Sequence, residues 1–265
     1  MADVHYVVPP HERLGWPELV EKLPEQARVC ELIDTMLPVA LEQIYGEIRP
    51  DFVVYTGDQV NAGWDDEGLA NQQGFEELLA EFGSDEVPTY YMFGNHDRPR
   101  ERFVEMYGAS VYSFECNGWH FAALDSGLMG PEEGVVDPSA AERSLDELAG
   151  MLAAARGAPA AVLLHFYMHP TDRVGSSFRR AEEAIRMLES YERIVPVFSG
   201  HAHGGRVGIV GGVPYLTARS FIEAPFTFQV HELSEDKLRT EEYVLDAESR
   251  NWSGYTKGVY ELGLR

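Results

Sequence analysis

The chain has 265 residues, 45% of them hydrophobic, with 44 acidic against 21 basic side chains and a formal net charge of -23. That is enough apolar material for one sizeable α/β domain, while the charge excludes general electrostatic attraction to nucleic acid or to an anionic membrane. No apolar run approaches the roughly 20 residues that span a bilayer, no charged-then-hydrophobic leader opens the chain, and Cys30 and Cys116 are too few for a disulfide framework; a cytoplasmic protein with reduced thiols is expected.

Taken in chain order, the first clear periodicity is helical. Val29, Leu32, Ile33, Met36, Leu37 and Leu41 recur at helix spacing in Arg28–Ile48, and Pro38 should kink that rod. Apolar runs rich in β-branched and aromatic residues predict buried strands near Phe52–Tyr55, Thr89–Phe93, Trp119–Leu124, Ala161–Leu164 and Ile194–Phe198. Between them Gly68–Phe82, Pro138–Ala155 and Phe178–Tyr191 read as helices, with Asp137 placed to cap the second ahead of a proline at its first position. From Arg206 to Asp246, short runs at Gly208–Val210, Pro214–Thr217, Phe226–Glu232 and Glu241–Leu245, separated by Gly and Pro turns, predict antiparallel strands closing a second sheet. The expected organisation is a single domain over residues 1–250, with 251–265 as a surface tail.

Polar islands follow most of these strands: Asp3-Val4-His5, Gly57-Asp58, Gly94-Asn95-His96-Asp97, His165 and Gly200-His201-Ala202-His203. Strand ends are where open α/β sheets place their chemistry. Imidazole, carboxylate and amide oxygen are ligands that Mn²⁺, Fe²⁺ and Zn²⁺ accept together, and two such ions ~3.5–4 Å apart clamp a phosphoryl group and generate hydroxide at neutral pH. Asp58, after a Thr56-Gly57 turn, is the natural bridging carboxylate. Asn95 can offer an amide oxygen, and His96 beside it can reach a leaving group without binding metal. His165 ends its strand and is preferred as a ligand, while His169 four residues on lines the pocket or replaces it. Arg98, Arg100 and Arg102 read either as phosphate contacts or as a solvated helix start balanced by Glu101 and Glu105. His120 reads as a structural histidine, His11 and His231 as surface or loop residues, and Tyr167 and Trp64 either as packing or as flanks of a nucleobase.

In order and spacing these islands resemble the signature of the calcineurin-like metallophosphoesterase superfamily, D-x-H, G-D, G-N-H-[DE], H and G-H-x-H, over Asp3 to His203. The resemblance implies a four-layer α/β/β/α sandwich of two mixed sheets flanked by helices, here with an abbreviated N-terminal strand, since the full strand usual before D-x-H is represented only by Met1-Ala2. It implies that Asp3, His5, Asp58 and His203 bind one divalent metal ion and Asp58, Asn95, His165 and His201 the other, with His96 as the non-ligand catalytic histidine. The implied reaction is hydrolysis of a small-molecule phosphoester by a metal-bridging hydroxide. Tyr112-Ser113-Phe114, Ala123-Leu124-Asp125-Ser126-Gly127 and the helix after Gly134-Val135-Val136-Asp137 are similar to the bacterial class III cyclic-nucleotide phosphodiesterase branch. A phosphodiesterase is therefore expected first, with a phosphomonoesterase or a non-catalytic protein-binding scaffold as alternatives. Asn61 stands where many relatives carry an acidic residue.

Overall fold

Strand alternation separates the layers. In β4 (Trp119–Leu124), Ala122 and Leu124 join one core while Phe121 and Ala123 join another, as the two faces of a strand covered on both sides must. The computed structural model describes residues 1–8, 15–22, 30–62, 66–82, 86–127, 137–168, 178–254 and 260–263. His11, Trp64, His169 and residues 134–136 lie outside them.

A six-stranded sheet runs β3 (Tyr112–Cys116), β4, β5 (Ala160–Leu164), β6 (Val197–Ser199), β8 (Val213–Arg219), β7 (Gly204–Val210). Its four central strands are parallel, and β3 and β7 close the edges antiparallel. Leu145, Leu148 and Met151 of α5 (Pro138–Ala154) and Ile185 and Leu188 of α6 (Ala181–Ser190) cover one face. Across the other face lie a parallel pair, β1 (Val53–Tyr55) with β2 (Thr89–Tyr91), and an antiparallel sheet in which β10 (Lys237–Asp246) pairs with β9 (Thr227–Leu233), β11 (Asn251–Gly254) and β12 (Tyr260–Gly263). Beyond these, α2 (Ile33–Leu41) and α3 (Asp66–Glu81) form the outer layer through Ile33, Met36, Phe75 and Leu78. The four layers are those expected.

Several elements differ from the sequence reading. The long helix expected to Ile48 is, from Cys30 on, a 3₁₀ turn, α2, and a π-helical turn over Glu42–Ile48; Pro38, with no N–H to give to Asp34, lies inside α2 just before the wider turn begins. The helix α1 (Trp16–Lys22) and strand β3 were not expected as elements, whereas α4 (Arg100–Tyr107) is the helix that one reading of Arg98, Arg100 and Arg102 foresaw. Asp137 caps α5 as expected, its carboxylate accepting from Ser139 N and Ala140 N. The antiparallel strands β7 and β8 extend the first sheet instead of joining the second. His231 sits on strand β9, not in a loop. Residues 251–254 and 260–263, expected in a surface tail, supply two strands, and Trp252 is fully buried against Phe221 and Phe228. That contact is made across the fold, so local pattern carries little trace of it. Among the described residues no helix is long and apolar enough to cross a membrane.

Candidate dinuclear metal centre

Four islands leave the carboxyl ends of parallel strands: Gly57-Asp58 after β1, Gly94-Asn95-His96 after β2, His165 after β5 and Gly200-His201 after β6. The fifth is brought alongside by backbone pairing, since Asp3 N donates to Gly57 O, His5 N to Asp58 O and Tyr6 N to Gln59 O. Asp3 and His5 are thus built into the crevice by the same loop that carries Asp58.

Three glycines make the close approach possible. A Cβ on Gly57 would lie 2.3 Å from His165 Nδ1, one on Gly94 2.3 Å from Asp58 Oδ1, and one on Gly200 2.8 Å from Asp3 Oδ2. Real Cβ atoms do not come that near, so each motif glycine vacates the space that a neighbouring polar side chain occupies. Backbone strain collects here too: Asp3, His5, Asp58 and His201 all have positive φ, from 47° to 64°. Non-glycine residues pay of order 1–3 kcal/mol for such conformations, and they persist where the surroundings over-determine them.

The donor atoms converge in three overlapping groups, Asp3/His5/His203, His5/Asp58/His96 and Asp58/His165/His201, within each of which the ligand atoms lie within 4.8 Å of one another. Asp58 Oδ2 joins the two halves, 3.7 Å from His5 Nε2 and 3.4 Å from His165 Nε2. His203 Nε2 is 3.6 Å from Asp3 Oδ1. His165 Nε2 is also 3.2 Å from Asn95 Oδ1 and 3.2 Å from His201 Nδ1. All eight residues singled out in the sequence therefore meet in one crevice.

The orientation of His165 decides what this arrangement fits. Its Nδ1 lies 2.8 Å from Thr56 O, and a carbonyl only accepts, so Nδ1 carries the proton. The Nε2 of the neutral ring then directs a lone pair at an Asp58 carboxylate oxygen and the Asn95 amide oxygen. Facing lone pairs require a cation between them. Without a metal a proton fills the role: burial works to lower the His165 pKa, yet Asp58 and Asp3 hold it at about 9. Burial alone would raise Asp58, but the charges of His165, His5 and His96 keep it well below the usual carboxylate range. Burial and the charge on His165 push His201 down to about 3, so it presents a neutral ring, the form that ligates metal. The donor set fits a dication on each side of Asp58.

The supporting contacts were mostly invisible in sequence. His203 Nδ1 is 2.6 Å from Glu223 Oε1, a carboxylate–histidine pairing that fixes ring and tautomer and turns Nε2 inward. His96 Nδ1 is held 2.5 Å from the Asn61 carbonyl, so the main chain orients that ring at the position where many relatives carry an acid. Asp97 Oδ2 accepts from Asp58 N at 2.8 Å and Gly94 N at 2.9 Å, and Oδ1 from Gln59 N at 2.8 Å and Val60 N at 3.3 Å, tying the two loops together. Arg100 has its guanidinium on Asp125 and Asp137 and over the Phe93 ring; it braces the fold and is not spare for a phosphate. His120 is paired with Glu115 at 3.1 Å, the structural role expected.

A mixed α/β sandwich with overlapping carboxylate and imidazole clusters at the carboxyl ends of its strands presents a candidate site for two metal ions. A family model for calcineurin-like phosphoesterases matches residues 1–205, and the chain belongs to that family. It is a metal-dependent phosphoesterase. Among solved structures, a dimetal phosphatase from Danio rerio superposes with a TM-score of 0.72 at 17% identity, covering 99% of this chain and 97% of that one. GAP50, the anchor in the inner membrane complex of Plasmodium, gives 0.65 at 16% identity over 88% and 84% of the two chains. A Staphylococcus aureus protein described as a putative 5'-nucleotidase gives 0.50 at 15% identity, covering 99% of this chain and 53% of that one. These likenesses concern the fold. No curated protein sequence matches the chain.

Proposed function

We propose that the protein hydrolyses a small-molecule phosphodiester, cyclic nucleotides included, at a centre of two divalent ions, Mn²⁺, Fe²⁺ or Zn²⁺. The observation that carries the reading is the inward Nε2 of His165, facing Asp58 and Asn95 oxygens across 3.4 and 3.2 Å. In this assignment Asp3, His5, Asp58 and His203 hold one ion, and Asp58, Asn95, His165 and His201 the other. Bound, the two ions supply Lewis acidity toward the phosphoryl oxygens and activation of water. The chain's own contribution is positional. Asp58 is fixed from both sides, its Oδ1 accepting from His96 N at 2.8 Å and its N–H bound by Asp97. His96, with Nδ1–H committed to Asn61 O, would deliver a proton to the departing alkoxide from Nε2 as the imidazolium, leaving the neutral ring with its proton on Nδ1. The chain's net charge of -23 repels extended polyanions, which favours a small ester over a nucleic acid.

The diester preference rests on the phrases around Tyr112 and Ala123 that resemble the cyclic-nucleotide branch. The alternatives are a monoesterase and a non-catalytic scaffold; the convergence of all eight site residues supports an enzyme. The test is turnover of bis(p-nitrophenyl) phosphate and p-nitrophenyl phosphate with Mn²⁺, an EDTA control and His96→Ala. Faster diester turnover, lost with EDTA and with His96→Ala, is the expected result. Faster monoester turnover reassigns the substrate class, and no turnover of either by folded, metal-loaded protein refutes catalysis.

A further inference from the structure

The two edges of the six-stranded sheet differ in charge. Among the described residues β3 pairs only with β4, and β7 only with β8. Strand β3 carries Glu115, whereas β7 carries no acid. The contrast extends beyond the strand. The chain has 44 acidic side chains in 265 residues, yet no Asp or Glu stands between Glu192 and Glu223, the stretch that supplies β6, β7 and β8. Natural edge strands are blunted by charge, proline or a covering element. From Val207 to Val210 the outer strand has neither charge nor proline, and Ile209 is 58% exposed.

The pairing of β7 with β8 decides which of its peptide groups face outward. Pro214 stands opposite Ile209 and has no N–H to give it, so the ladder bonds belong to the alternate residues Arg206, Gly208 and Val210. The two-residue turn at Gly211-Gly212, with φ of 59° and 84°, closes the hairpin in that same phase. Val207 and Ile209 therefore turn N–H and C=O to the outer edge, evenly placed about Gly208. Side chains alternate between the faces as well. Val210 packs on the core under α5 and α6, which puts Arg206 and Gly208 on that face and Val207 and Ile209 on the other.

We propose that β7 pairs antiparallel with β7 of a second copy of this chain, across a two-fold axis between the two Gly208 residues, joining the two six-stranded sheets into one. An isologous contact needs a surface complementary to itself, and this edge is. Val207 of each copy meets Ile209 of the other, exchanging N–H···O bonds in both directions and stacking two β-branched pairs on one face. At the axis, the residue without a side chain occupies the kind of pair in which Cα atoms come closest, about 4.5 Å apart. On the α6 side Arg206 stands opposite Val210 of the partner copy, beside the hairpin tip where Glu189 lies against Gly211, so opposite charges meet on both sides of the axis. Charge also selects this face: two copies with a net charge of -23 each repel over most of their surfaces and approach where acids are absent.

Sedimentation of the 265-residue protein over about 1–100 µM reads the association, beside Ile209→Lys and Val207→Pro, each checked for fold by circular dichroism and Tm. Both positions face the outer edge, and proline there removes no bond to β8. A concentration-dependent dimer, weakened at least about tenfold by each variant, is expected. Register is read separately. Gly208→Cys should cross-link into dimers under mild oxidation, because the Cα spacing at the axis lies in the range a disulfide spans. Arg206→Cys, off the axis, should stay at the level of the wild type, which shares Cys30 and Cys116. A protein that stays monomeric to ~100 µM overturns the proposal. So does a dimer that either folded variant leaves intact, or one that Gly208→Cys fails to cross-link, which assigns the contact to another face or register.

Discussion

Asp97→Asn isolates the clamp between the two metal-binding loops. The carboxylate accepts four backbone N–H groups, two on each oxygen, at 2.8 to 3.3 Å. An amide of the same shape has only one accepting atom, so whichever way it turns, two buried N–H donors face an NH₂ group. An orphaned buried donor costs about 1–3 kcal/mol, so two put the loss at roughly 2–6 kcal/mol. For a chain of this size each kcal/mol moves Tm by about 2–4 °C, so a fall of roughly 4–24 °C is expected. The cost should be larger with Mn²⁺ bound than without. In the free protein burial and the charge on Asp58 raise the Asp97 pKa, which works against the ionised clamp; a cation on Asp58 removes that repulsion. Calorimetric melts of wild type and variant, with and without Mn²⁺, measure both. A Tm within about 1 °C of wild type in the metal-loaded protein would refute the clamp.

Three further outcomes are expected. Gly57→Ala, with φ of 94° and a Cβ that would fall 2.3 Å from His165 Nδ1, should displace the imidazole and weaken binding at the His165 side, read as loss of one high-affinity Mn²⁺ by titration calorimetry. Metal binding at pH 7.5 should release a proton, because the free protein holds His165 at about 9 and the ligand form is the neutral ring; calorimetry in buffers of different ionisation enthalpy measures it, and apparent affinity should rise with pH up to about 9 and not fall. Trp252→Ala should cost about 3–5 kcal/mol in urea unfolding, since the side chain is fully buried against Phe221 and Phe228; a change below about 1 kcal/mol would return residues 251–254 to the surface.

The sequence announced the site more clearly than the fold around it. Gly-Asp, Gly-Asn-His-Asp and Gly-His-x-His are recognisable as local phrases, although the space their glycines vacate is filled by residues distant in sequence, His165, Asp58 and Asp3. Central strands such as Trp119–Leu124 were legible because burial on both faces makes them continuous apolar runs. Strand β3, with a burial pattern that never reaches full burial, gave no such run. Contacts made across the chain left no local trace: Glu223 on His203, the Thr56 and Asn61 carbonyls on His165 and His96, and Trp252 under β9. The division of the Asp58 layer depends on hydrogen bonds between segments far apart in sequence, and composition does not encode it.

The central claim is that two cations share this crevice with Asp58 between them. Anomalous diffraction from crystals of the Mn²⁺-loaded protein tests it directly. Two peaks ~3.5–4 Å apart, with Asp58 touching both, Asp3, His5 and His203 around one and Asn95, His165 and His201 around the other, is the predicted result. A single peak, or two that do not share Asp58, would contradict it.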